Sequence, residues 1–183
     1  MRFEAGHLAE RFGQFVLIAL GESVVDIGAS AQSSGSLSFG VGGAVVASFA
    51  VSCGLWWVYF NFAAGAVRHA LASAQAQLDI ARRVLSYGHL AFIAAIITVA
   101  VGLREAVTHP CIALSTGATG LVFGGAALYL ASFGYIRWMI FRPVSVTRLT
   151  AGAVVLAAMW PCSYLPAVAA LVVLAGILSG STR

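Results

Sequence analysis

The sequence predicts an all-α fold, a polytopic transmembrane bundle of about six spans forming one integral-membrane domain over residues 1–183. Three observations predict it. The chain is 61% hydrophobic and 9% charged, whereas a soluble domain carries about 25% charged residues. Its mean hydropathy is +0.96. Its apolar residues also gather into six stretches, most of them near the ~20 residues that a bilayer core requires of a helix. Twenty glycines against four prolines suit closely packed membrane helices.

In chain order, the first span covers about residues 10–31. After "QSSGS" a second covers 37–63 and ends in "LWWVYFNF", an aromatic belt of the kind found at membrane interfaces. The third covers 87–107 and the fourth 112–138. A fifth covers 145–160 and stops near Pro161; the sixth, 165–178, is short. Between spans two and three, Val67, Leu71, Ala74, Leu78, Ala81 and Leu85 recur at alternating steps of four and three. That spacing marks one helical face, so residues 65–86 read as an amphipathic connecting helix on the cytoplasmic side. Gly117, Gly120 and Gly124 recur in span four at the same steps, a small-residue seam where helix backbones can approach closely.

The formal charge is +4, and all ten basic residues apart from histidine are arginine. They sit at the ends of apolar spans, which excludes nucleic acid as a partner and makes them orientation signals. With a cytoplasmic N-terminus, Arg2, Arg11, Arg68, Arg82, Arg83, Arg137, Arg142, Arg148 and Arg183 lie inside and only Arg104 lies outside. Both termini are therefore expected in the cytoplasm. The three cysteines form neither a CxxC nor a Cys/His cluster, so no metal and no cofactor are expected. That topology places Cys111 and Cys162 at the outer face, where a disulfide between them would join two loops. No GxSxG or HExxH is present, and no enzyme is expected. The start, "MRFEAGHLAERFG", has no apolar core or cleavage site; it reads as a chain that begins partway, so a truncated or split gene product is expected.

Span one carries the chemistry. At 100° per residue, taking Arg11 as zero, Glu22 falls at about +20°, Asp26 at about +60°, His7 at about −40° and Gln14 at about −60°. These polar groups form one stripe, and Glu22 lies about 16 Å along the axis from Arg11, near the bilayer midplane. A carboxylate on lipid at that depth costs several kcal/mol. The stripe must therefore face the bundle interior, a water-filled cavity or a partner charge. Arg104 is the outer-half candidate to meet Asp26, with Glu105 beside it; His7, Glu10, Arg11 and His89 are candidates for an inner cluster. Two readings stay open. The charges either line a path for an ion, proton or small solute, or they only lock helices together.

"HLAERFGQFVLIALGESVV" resembles the characteristic segment of the bacterial low temperature requirement protein A (LtrA) family. The resemblance rests on His7, Glu10, Arg11, Phe12 and Gly13, followed by Leu20, Gly21, Glu22 and Ser23. A second block, "YGHLAFIAAIITVAVGLREAVTHP", is similar through Tyr87, His89, Gly102, Glu105, His109 and Pro110. The resemblance implies a multi-pass protein of the bacterial plasma membrane, linked by name to growth in the cold, with no assigned catalytic residues. It also implies a longer architecture of which this chain is the C-terminal half. The partners expected are accordingly the lipid bilayer, an N-terminal half or a second copy, and an unidentified solute or ion.

Overall fold

The computed structural model describes residues 5–35, 38–63, 87–141 and 146–181, and among them the fold is all-α. Helix α1 spans Ala5–Ser33, α2 Phe39–Val58, α3 His89–Thr108, α4 Thr116–Phe141, α5 Val146–Cys162 and α6 Ala167–Gly180. A π-helical turn, Tyr59–Ala63, extends α2. The segment 65–86 lies outside the described residues.

Among the described residues, four helical stretches are long and apolar enough to cross a membrane: Arg11–Ser33, Phe39–Asn61, His89–Thr108 and Thr116–Ile136. Helices α5 and α6 are shorter, with 17 and 14 residues, or roughly 25 and 21 Å at 1.5 Å per residue.

Local chemistry sets where the helices begin and end. Gly35, at φ +75°, supplies the left-handed turn after α1. Ser38 then caps α2 by accepting a hydrogen bond from the Val41 N–H at 3.3 Å. Pro110 biases the preceding residue away from helical backbone, and α3 gives way at His109. Pro161 does not end α5, which runs one residue further to Cys162; within the final turn the missing N–H and the ring disturb only the helix end.

Packing is organised around α3 and α4. A Cβ on Gly102 would lie 2.5 Å from Val122 Cγ2 and 3.0 Å from the Ala118 carbonyl oxygen. One on Gly125 would lie 2.8 Å from Val99 Cγ2 and 3.1 Å from the Ala95 carbonyl oxygen. The two backbones therefore meet at two levels through glycine. Helix α1 packs on α3 and, less extensively, on α2; α5 packs on α4; α6 packs on α2. The seam expected at Gly117, Gly120 and Gly124 is not the one that α3 uses. Gly117 is exposed, and a Cβ on Gly120 or Gly124 would meet nothing within 4 Å. Counting steps of three and four locates a small-residue face but not the neighbour it serves, and Gly125, one residue on, points about 100° away.

At the end of the bundle holding Cys111, the α3–α4 loop is fastened to the start of α6. Ala113 and Pro166 form an isolated antiparallel bridge, and the Ala167 N–H donates to the Ile112 carbonyl oxygen at 2.9 Å. The two loops that a disulfide would have joined are thus joined by backbone instead. Cys111 is an exposed free thiol and Cys162 a buried one, while Cys53 faces outward from α2.

Gly102→Val and Gly125→Val are expected to destabilise the bundle by about 1–3 kcal/mol, because the added methyl groups meet backbone that cannot yield. Gly120→Val and Gly124→Val should be near neutral. Thermal unfolding in detergent checks the ranking, and equal losses at all four positions would refute the seam. A mass-tagged maleimide is expected to modify Cys111 fully without reductant and Cys162 only after unfolding. A thiol at Cys111 released by reductant would contradict the free-thiol arrangement.

Candidate functional site

Two polar features stand out, and they lie in opposite environments. The first is the stripe on α1. The packed face of this helix is Gly13, Val16, Leu20, Ser23, Ile27 and Ser30, at alternating steps of three and four. Its two serines are satisfied within the helix, Ser23 Oγ donating to the Ala19 carbonyl oxygen at 2.9 Å and Ser30 Oγ to that of Asp26 at 2.7 Å. Such back-bonding lets hydroxyls sit in an apolar seam.

The stripe lies on the other side. Arg11, Gln14 and Glu22 are exposed and Asp26 is partly buried. The bundle interior is therefore not where these charges point. The physical reason is geometric: the residues α3 can accommodate closely are the small and branched ones, and their mean direction lies roughly 130–150° around the helix from Glu22 and Arg11. Among the described residues no ion pair joins Asp26 to Arg104, which is itself exposed. The side chains of His7 and Glu10 lie outside the described residues.

Glu105 has a different task from the one its sequence position suggests. Its carboxylate accepts from the Ser115 backbone N–H and, at 2.8 Å, from Ser115 Oγ. Ser115 Oγ in turn accepts from the Ala118 N–H at 3.2 Å. The result is an anionic cap on the positive end of α4.

The second feature is a buried centre at the opposite end of the bundle from Cys111. His89, at the first turn of α3, is 1% exposed and Tyr59 is 2% exposed. Tyr59 Oη and His89 Nε2 lie 2.9 Å apart, a hydrogen bond between α3 and the π-helical turn. Phe12 of α1 covers the imidazole with ring centroids 4.7 Å apart, and Phe92 meets it edge-on at 5.8 Å. From α4, Tyr129 donates its hydroxyl to the Leu55 carbonyl oxygen at 2.8 Å, in the last turn of α2 before the π-helical segment. Buried Arg148, near the start of α5, sets its guanidinium carbon 5.5 Å from the Phe133 ring centroid, within cation–π range. Five helices thus meet around one polar and aromatic cluster.

The family model described as bacterial low temperature requirement A protein (LtrA) matches residues 1–181. The chain belongs to the LtrA family. An uncharacterized protein of Rhizobium meliloti (strain 1021) is 33% identical over 134 residues, covering 73% of this chain and 32% of the relative. The chain therefore matches about a third of that relative's length. No solved structure matches it. Together with the apolar helices, the family makes this a multi-pass membrane protein.

The residues that carry the LtrA resemblance divide between the two features. In Leu20–Gly21–Glu22–Ser23, Leu20 and Ser23 face the bundle while Gly21 and Glu22 face away. In the second block, His89 belongs to the buried centre, Gly102 to the α3–α4 seam and Glu105 to the α4 cap. Sequence reasoning found His89 but missed Tyr59, Tyr129 and Arg148. Tyr59 sits beside Trp56 and Trp57, both exposed in the manner of an interfacial belt, and nothing in "WWVYF" distinguishes the one ring that turns inward.

Tyr59→Phe removes the hydroxyl from a buried imidazole and is expected to cost about 1–3 kcal/mol. Phe12→Leu, which keeps an apolar cover, should cost less. Thermal unfolding of both variants in detergent checks the order; an unchanged midpoint for Tyr59→Phe would remove the hydrogen bond from the energetics.

Proposed function

We propose that this LtrA chain forms part of a membrane transporter or conducting protein, and that the Arg11–Gln14–Glu22–Asp26 stripe lines the route of an ion, proton or small solute. The supporting observation is Glu22: a carboxylate half-way along a candidate span, exposed on the face turned away from the packed bundle. Ionisable groups at membrane depth are costly, and they recur where an ion or proton pathway uses them. Asp26, one turn further, provides a second station on the same face. The proposed setting is the bacterial plasma membrane with both termini cytoplasmic, and the proposed role is not enzymatic.

A second reading, a membrane scaffold or cold-adaptation component, draws support from Glu105. That carboxylate is engaged entirely in holding α4 and its loop, which illustrates charge used for structure alone.

Reconstitution with a pH-sensitive dye separates the readings. Glu22→Gln is expected to lower proton or proton-coupled flux at least about tenfold while the protein accumulates and unfolds as the parent does. Undiminished flux would sink the path reading, and loss of accumulation without a flux phenotype would favour the scaffold.

A further inference from the structure

The outward face of α1 needs a cover. Only 22% of its most apolar window is buried, against 50%, 50% and 67% for the other three long spans. Around that face stand exposed Arg11, Gln14, Ile18, Glu22 and Val25, with Asp26 at its margin. Gly21 and Gly28 carry nothing within 4 Å of where a Cβ would stand. The face is thus apolar enough to lie in a membrane, smooth enough to admit a neighbouring backbone, and too charged to be left to acyl chains.

We infer that a transmembrane helix contributed by polypeptide outside this chain docks along α1, presenting a basic or amide side chain at the depth of Glu22. Charge complementarity selects this occupant. A second copy placed in parallel would set Glu22 against Glu22 and Asp26 against Asp26, and like charges repel most strongly where the dielectric is low. An antiparallel copy would bring Arg11 towards Asp26, but it would carry the arginines of one copy to the wrong side of the bilayer. A separate helix with a hydrogen-bond donor meets neither difficulty. The matched relative gives such a helix a source, since 32% of its length corresponds to this chain and the rest offers further polypeptide. The inference does not depend on any solute moving along the stripe.

The test uses the full chain, donor-labelled and reconstituted in phosphatidylcholine vesicles. Two acceptor-labelled polyleucine transmembrane peptides are added, one with a single central arginine and one with leucine there. Association read by energy transfer is expected to be about tenfold tighter for the arginine peptide, which corresponds to ~1.4 kcal/mol. Glu22→Gln should erase the difference. Gly21→Leu fills the same face without touching the described bundle, and it should weaken binding of the arginine peptide even if Glu22→Gln fails to accumulate. Equal binding of the two peptides, or a preference that survives Gly21→Leu, would overturn the inference. Energy transfer between two labelled copies of the chain, lost in Ile18→Trp and undisturbed by the arginine peptide, would overturn it in favour of self-association. Loss of proton flux with peptide binding intact would leave the docking inference standing and bear on the transport reading alone.

Discussion

The close approach of α3 and α4 is the constraint from which the rest of the bundle follows. In hydrocarbon there is no hydrophobic gain in pressing one apolar helix on another, so association depends on contact distance and polar bonds. Gly102 and Gly125 permit that contact at two levels, each set against backbone of the facing helix. Once the pair is fixed, α1 lies on α3 and α5 lies on α4. Tyr129 of α4 then reaches the Leu55 carbonyl oxygen of α2, so the helix next in contact with α6 is tied to the α3–α4 pair by a polar bond as well as by packing.

Polar groups in this protein lie in two settings. Several within the bundle have partners close by, Tyr59 with His89, Tyr129 with Leu55, and Ser23 and Ser30 with their own helix, while the buried hydroxyls of Ser48 and Thr119 have none among the described residues. Those on α1's outer face are exposed or only partly buried. The same helix carries both kinds, because 3.6 residues per turn let a serine-bearing seam and a carboxylate-bearing stripe run side by side on different faces.

The number, order and approximate bounds of the six described helices were legible because each is written as a predominantly apolar run. The polar stripe was legible for a related reason: angular position along one helix needs no knowledge of any neighbour. What the stripe faces was not legible, since orientation about the helix axis depends on which side α3 accepts. The same limit separates Gly124 from Gly125. It also hides Tyr59 among exposed tryptophans, and the serine ten residues downstream that Glu105 meets was not legible either.

The bridge between Ala113 and Pro166 gives the bundle a mechanical polarity. The α3–α4 loop is clipped to the root of α6 by the bonds from Ala167 and Val168 to the Ile112 and Pro110 carbonyl oxygens, at 2.9 and 3.3 Å. At that end, α6 cannot slide or splay from the α3–α4 pair without breaking main-chain bonds. At the other end, α2 is held to its neighbours through side chains, the phenol of Tyr59 and the phenol of Tyr129. Side-chain bonds can exchange partners through a rotamer change, whereas main-chain bonds move only with their segments. The Cys111 end is therefore tied by main-chain bonds, and the end that holds the buried histidine by side-chain bonds.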